Sequence, residues 1–133
     1  DRDPAALGVE SLKNIMEEGN ADWITRQMIQ QKKIFPAVAD LLGHPTWSVR
    51  LGAMVIVEAL AEEAPEIAQT LCPLLIKDFD DKDIPAQGDL LYALAEAGTP
   101  DTAQWIRERL AGFTHPDLKE AAMEALDTLD EKE

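Results

Sequence analysis

"HPDLKEAAMEAL", residues 115–126, has the layout of a helix start. Pro116 suits a first helical turn, where a backbone N–H would have no partner anyway. Leu118, Ala122, Ala125 and Leu126, followed by Leu129, recur at three- and four-residue spacing, the period of one buried helix face. The other histidine of the chain, His44, lies in "GHPTWSVRLGAM" (43–54), again before a proline and ahead of a helical pattern. The two histidines are either halves of a catalytic pair or one structural joint used twice. What lies around and between them decides.

Working outward, amphipathic segments follow one another with short breakers between them. "DPAALGVESLKNIMEEGN" (3–20) offers Asp3 as a cap, Pro4 in the first turn, a stripe of Leu12, Ile15 and Met16, and Gly19-Asn20 as its stop. "ADWITRQMIQQKK" (21–33) sets Ile24 and Met28 one turn apart. "IFPAVADLLG" (34–43) aligns Phe35, Val38, Leu41 and Leu42, with Pro36 either starting that helix or kinking a longer one. "TWSVRLGAMVIVEALAEEA" (46–64) carries Val49, Ala53, Ile56 and Leu60 on one face. Met54, Val55 and Val57 make it apolar nearly all round, which predicts neighbours on several sides. "PEIAQTLCPLLIKDF" (65–79) holds Pro73 inside its pattern of Ile67, Leu71, Leu74 and Leu75. "DIPAQGDLLYALAEAG" (83–98), "PDTAQWIRERLAG" (100–112) and "HPDLKEAAMEALDTL" (115–129) complete eight helices with no strand. The connections are short enough for antiparallel neighbours. Ile56, Leu60, Leu75, Leu94, Leu118 and Leu126 are the predicted core.

The segments repeat. Leu94 and Leu126 stand 32 residues apart, each at the end of a helical pattern. Eight residues before them lie Ala86-Gln87 and Leu118-Lys119, and Val49-Arg50 occupies the matching place 37 residues before Ala86. Pro36 and Pro73 are also 37 apart, each in the helix before a joint. Two unrelated landmarks with one offset mark a repeat. The physical logic is that one helix pair cannot bury both faces, whereas stacked pairs share a continuous core.

"SVRLGAMVIVEAL" (48–60), "PDTAQWIRERL" (100–110) and "HPDLKEAAMEAL" resemble HEAT repeats. These are helix-turn-helix units whose second helix begins with a Val-Arg-like pair and small residues, and whose first helix often carries a proline kink. The resemblance covers residues 34–130, and 1–33 fit by helix count alone. Ala86-Gln87 departs from the Val-Arg pair, and the loop before Val49 is two residues longer than that before Leu118. The resemblance implies an all-α, right-handed α-α superhelix of about four antiparallel helix pairs in one domain, 1–133, with the second helices lining one surface. It also implies that Arg50 bonds neighbouring turns. The chain is similar, too, to helical segments that follow thioredoxin-like domains in some bacterial proteins, which implies an accessory role beside a covalently linked upstream redox domain. The chain starts at Asp1 and reads as part of a longer protein.

Within this architecture His44 and His115 fall in the turns of two different units, three helices apart. A structural joint used twice explains them better than catalysis. No serine or cysteine nucleophile accompanies either one in a recognisable motif. The acidic loop "DFDDKDIPAQGD" (78–89) invites a calcium reading. Its sixth and twelfth positions hold Asp83 and Asp89, where an EF-hand needs glycine and glutamate. An inter-helix loop with Asp83 capping the next helix fits better, with weak divalent-cation binding at 78–83 the lesser reading. Cys72, the sole cysteine, sits among Leu71, Pro73 and Leu74 and reads as a buried apolar residue. One thiol makes neither an internal disulfide nor a zinc site, and it suits a reducing compartment, hence a cytoplasmic protein. Glycines form no phosphate loop or dinucleotide fingerprint. Neither a metal nor a cofactor is expected.

Charge completes the reading. The chain is formally -14, with six Lys/Arg against seven Asp/Glu over 1–50 and six against nineteen over 51–133. Nucleic acid would meet like charge over the second stretch. No apolar run approaches membrane-spanning length; the densest, "LGAMVIVEALA" (51–61), is broken by Glu58. The function that fits is a non-catalytic protein-interaction or scaffold module with a basic protein partner. A bilin-lyase-like role, as in HEAT-like bilin-attachment proteins, is the alternative from a different class. The candidate contact residues are Trp47, Arg50, Met54 and Tyr92, all on second helices. They would supply aromatic, cationic and adaptable apolar surface. Core packing is the first expectation for Trp23, Trp47 and Trp105 alike, with partial exposure of Trp47 at its helix start, and interface anchoring, the second reading.

Overall fold

The computed structural model describes residues 3–132, and among these every regular element is helical. The helices are α1 (Val9–Glu17), α2 (Ala21–Gln31), α3 (Pro36–Leu42), α4 (Trp47–Glu63), α5 (Pro65–Ala68), α6 (Cys72–Lys77), α7 (Ile84–Ala97), α8 (Pro100–Leu110) and α9 (Pro116–Asp130). The eight expected segments are all present; the fifth is divided between α5 and α6. Pro73 is the reason. It has no N–H for the Gln69 carbonyl, so the chain tightens into a 3-10 turn over Gln69–Leu71, and the Cys72 N–H bonds that carbonyl instead. Pro36 starts α3 at its first position. α2 has already ended at Lys32, whose φ of 58° is left-handed. The Asp3 cap exists, but it serves a separate 3-10 turn, Pro4–Ala6, accepting from the Ala5 N–H at 3.1 Å. Gly19 closes α1 in the positive-φ region, at 89°.

The two histidine joints use the same bond. His44 Nδ1 accepts from the Thr46 N–H at 3.0 Å, and His115 Nδ1 accepts from the Asp117 N–H at 3.1 Å. Each ring ties down the entry to the helix that follows. Asp83 caps α7 as expected, accepting from the Ala86 N–H at 3.0 Å.

Packing sorts the helices. α2, α4, α7 and α9 neighbour one another in that order, while α1 packs on α3 and α3 on α6. α8 lies against α7 and α9. The core between them is continuous, from Leu12 and Ile24 through Ile56, Leu60 and Leu75 to Leu94, Ile106 and Leu129. Of the predicted core, Ile56, Leu60, Leu75, Leu94 and Leu118 are buried. Leu126 is only half-buried, because Ala122, Ala125 and Leu129 take the face of α9 that meets its neighbours and leave Leu126 at its edge. Trp23 is another correction: it is 39 % exposed, with Ile24 and Met28 filling the core side of α2 instead.

Two polar devices hold the stack. Arg50 is buried, and its Nε donates to Asp89 on α7 at 2.8 Å. Its Nη1 donates to the carbonyl oxygens of His44 and Pro45 at 2.9 and 3.1 Å, so one side chain braces the joint before α4 and crosses to the next helix. Lys132, just past α9, reaches back to the end of α7. Its Nζ donates to the carbonyls of Ala95, Glu96 and Gly98 at 2.7, 2.8 and 3.2 Å. These are groups a helix C-terminus leaves unpaired, and a cation there also meets the negative end of the helix dipole.

On the side of α8, Trp105 meets the Phe79 ring edge-on at 5.3 Å, and Phe113 lies 6.2 Å from the same ring. The Arg109 guanidinium sits 5.8 and 5.7 Å from the Phe79 and Trp105 rings and pairs with Asp80. Trp105 is thus a packing residue, as expected. Cys72 is buried, and burial pushes its thiol up, against the weaker pull of Thr102 and Lys132.

Candidate functional site

α4 is where the apolar surface and the packing disagree. Its nearly all-round apolar sequence predicts neighbours on several sides, and it has them, yet Trp47, Leu51 and Val55 are 63, 52 and 56 % exposed. They are spaced four residues apart and form one stripe along the helix. Met54 and Arg50, on the adjoining stripe, are buried at 8 and 3 %. The exposed stripe is one wall of a groove of ≈ 460 Å³. α7 supplies the floor through Gly88, Asp89, Tyr92 and Ala95. α9 supplies the far wall through Ala121, Ala125 and Thr128.

Each wall has a sequence cause. The α4 stripe exists because seventeen consecutive helical residues carry more apolar positions than α2, α3 and α7 can cover. The floor is low because α7 places small residues there. A Cβ added at Gly88 would meet nothing within 4 Å. The α9 wall is lined by alanines that also allow close approach to α7.

Carboxylates rim the groove: Glu58 on α4, Glu96 on α7 and Glu124 on α9. Asp89 is taken up by Arg50, the sole cation lining the groove among the described residues. Tyr92, 46 % exposed, donates its hydroxyl to Glu58 Oε2 at 2.9 Å across the α4–α7 gap. That bond, with smaller contributions from burial and from Glu96, pushes the phenol up to about 12. At neutral pH the phenol is therefore a donor occupied by Glu58.

The four candidate contact residues all line this groove, but they divide by role. Trp47 and Tyr92 present surface. Arg50 and Met54 are buried beneath it, and Arg50 carries out the turn-bonding role that the resemblance implied. Leu51 and Val55 were missed by sequence reasoning. Their four-residue phase with Trp47 was legible, but nothing in the sequence distinguished the uncovered stripe of α4 from the covered ones.

Among the described residues no histidine, cysteine, serine or lysine lines the groove. His44 and His115 are committed to their joints, and Cys72 is buried within the core cluster. Among the described residues no three His, Cys, Asp or Glu side chains gather as a cation site. In the acidic loop, Asp80 pairs with Arg109 and Asp83 caps α7. No helix among the described residues is long and apolar enough to cross a membrane. The groove presents apolar area, the aromatic rings of Trp47 and Tyr92, and the carboxylates of Glu58, Glu96 and Glu124. No family model matches this chain, and no curated protein or solved structure matches it either.

Proposed function

We propose that this chain is a non-catalytic protein-interaction module of HEAT-like character, with the groove of α4, α7 and α9 as its contact face. The observation that carries the reading is the exposed Trp47–Leu51–Val55 stripe opposite Tyr92. Clustered exposed apolar side chains of this kind mark interaction sites, and tryptophan and tyrosine are prominent among residues that dominate interface energy. The neighbour order α2, α4, α7, α9 on one side and α1, α3, α6 on the other supports a solenoid built from helix pairs, with the second helices forming the contact surface. The Arg50 brace between joint and neighbouring helix supports the same reading.

Gly88 offers a direct test. A leucine there would project into the groove, with nothing within 4 Å for its Cβ to strike, and helix propensity would improve. Partners captured from native extract by the wild-type chain should be lost by Gly88→Leu and by Trp47→Ala, at unchanged melting temperature. Retention of the same partners by both variants places the contact face elsewhere and refutes the proposal.

A further inference from the structure

The groove has a sign as well as a shape. Three carboxylates stand on its rim, one from each of the helices that form it: Glu58, Glu96 and Glu124. Among the described residues the one lining guanidinium, Arg50, is buried and spent on Asp89 and two carbonyls. A ligand in this groove therefore meets apolar surface along its middle and an excess of carboxylates along its edges, with Lys132 offsetting part of the charge at Glu96. The surrounding stretch, 51–133, holds nineteen acidic against six basic residues and extends the same field. Nucleic acid and anionic lipid are repelled by it, and so is a second copy of a chain with formal charge -14.

The walls also limit the backbone of the ligand. They are helices, whose N–H and C=O groups are used internally, so the groove offers no sheet edge for an extended strand to pair with. A segment that buries its backbone here has to satisfy its own hydrogen bonds, and a helix does so. The opening fits one. α7 lies between α4 and α9, and with neighbouring axes about 8–10 Å apart the outer two stand roughly two such spacings from each other. A helix about 10–12 Å across is too wide to drop between the two walls, but it can lie along the opening over α7 with its side chains entering the groove. Gly88 and Ala95 on the floor and Ala121 on the wall leave depth for its apolar side chains.

Resting on the interaction reading above, we infer that the groove receives a cationic amphipathic helix. Its apolar stripe lies against Trp47, Leu51 and Val55, and its Lys or Arg side chains reach Glu58, Glu96 and Glu124.

The probe is a synthetic peptide of ~18 residues, about five helical turns, with leucines on one helical face and lysines on the other. The controls are the same peptide with glutamates for lysines, one of identical composition with scrambled order, and one with a central proline. Calorimetric titration of the wild-type chain should give binding by the lysine peptide alone, with a gain in peptide helicity by circular dichroism. Removing the rim charges together (Glu58→Gln, Glu96→Gln, Glu124→Gln) should weaken binding roughly tenfold. Raising salt to about 0.5 M should act in the same direction, and Gly88→Leu should abolish binding.

Four results would overturn the inference: no binding of the lysine peptide, equal binding of any control, indifference to the rim substitutions, or wild-type self-association abolished by Gly88→Leu. In the last case the occupant is a second copy. If any of these occurs while Gly88→Leu still loses the captured partner, the groove remains the contact face and only the identity of its occupant is wrong. If Gly88→Leu also keeps that partner, the interaction reading itself fails.

Discussion

Tyr92 is the only tyrosine of the chain, so tyrosinate absorbance reports this one side chain of the groove. Its hydroxyl donates to Glu58, and the phenol is pushed up to about 12. The absorbance step should therefore appear well above pH 10 in the folded protein, and Glu58→Gln should move it back towards 10. A wild-type midpoint near 10 would mean that the bond does not form. The sign for stability follows from the same shift. A group whose folded pKa is raised contributes stability that is fully present below its unfolded value and is lost as pH rises through the folded value. The wild type should lose stability relative to Tyr92→Phe between about pH 10 and 12. This residue illustrates what sequence carries at its own scale. Tyr92 could be named as a contact candidate from its place on a second helix, but Glu58, its partner, lies 34 positions away. Arg50 was named for contact and for bracing alike. Its guanidinium is buried and bonded to Asp89 and to two carbonyls of the joint, the arrangement that bracing requires.

At the scale of elements, Leu94 and Leu126 each stand near the end of an apolar helical pattern, yet they hold unequal places in the core. Leu94 is fully buried on α7, between α4 and α9, whereas Leu126 lies at the edge of the α9 contact. Leu94→Ala should cost about 2–5 kcal/mol. Leu126→Ala should cost less than about 2 kcal/mol, because its site is already part-solvated. Equal denaturation midpoints for the two variants would contradict this ranking. Lys132 ties α9 to α7 by donating to three carbonyls at the end of the latter helix. Lys132→Met, which keeps most of the apolar stem, should lower stability by about 1–3 kcal/mol and speed amide exchange in the last turn of α7. Unchanged protection there would remove the cap from the account. Helix identity and order were legible because caps, prolines and spacing are local. The Lys132 cap was not, since it joins groups 34 to 37 residues apart with no motif to mark them.

Over the whole molecule the excess of negative charge opposes compaction. Raising salt from about 10 mM to 150 mM shortens the Debye length from roughly 30 to 8 Å. The melting temperature should rise as the repulsion is screened. A fall would show that pairs such as Arg50–Asp89 and Arg109–Asp80 outweigh the net repulsion. An all-helical chain, its breaks, both histidine joints and most of its core are legible in the residues alone, because each follows from residues within a turn or two of one another. So is the excess of negative charge. Which stripe of α4 stays uncovered is not, because it depends on how the other helices pack. Trp47, Leu51 and Val55 are as apolar as the buried face, and what separates the two is where α2, α3 and α7 come to rest. The groove is the surface those neighbours leave, and its acidic rim forms because three carboxylates from three helices reach the same opening.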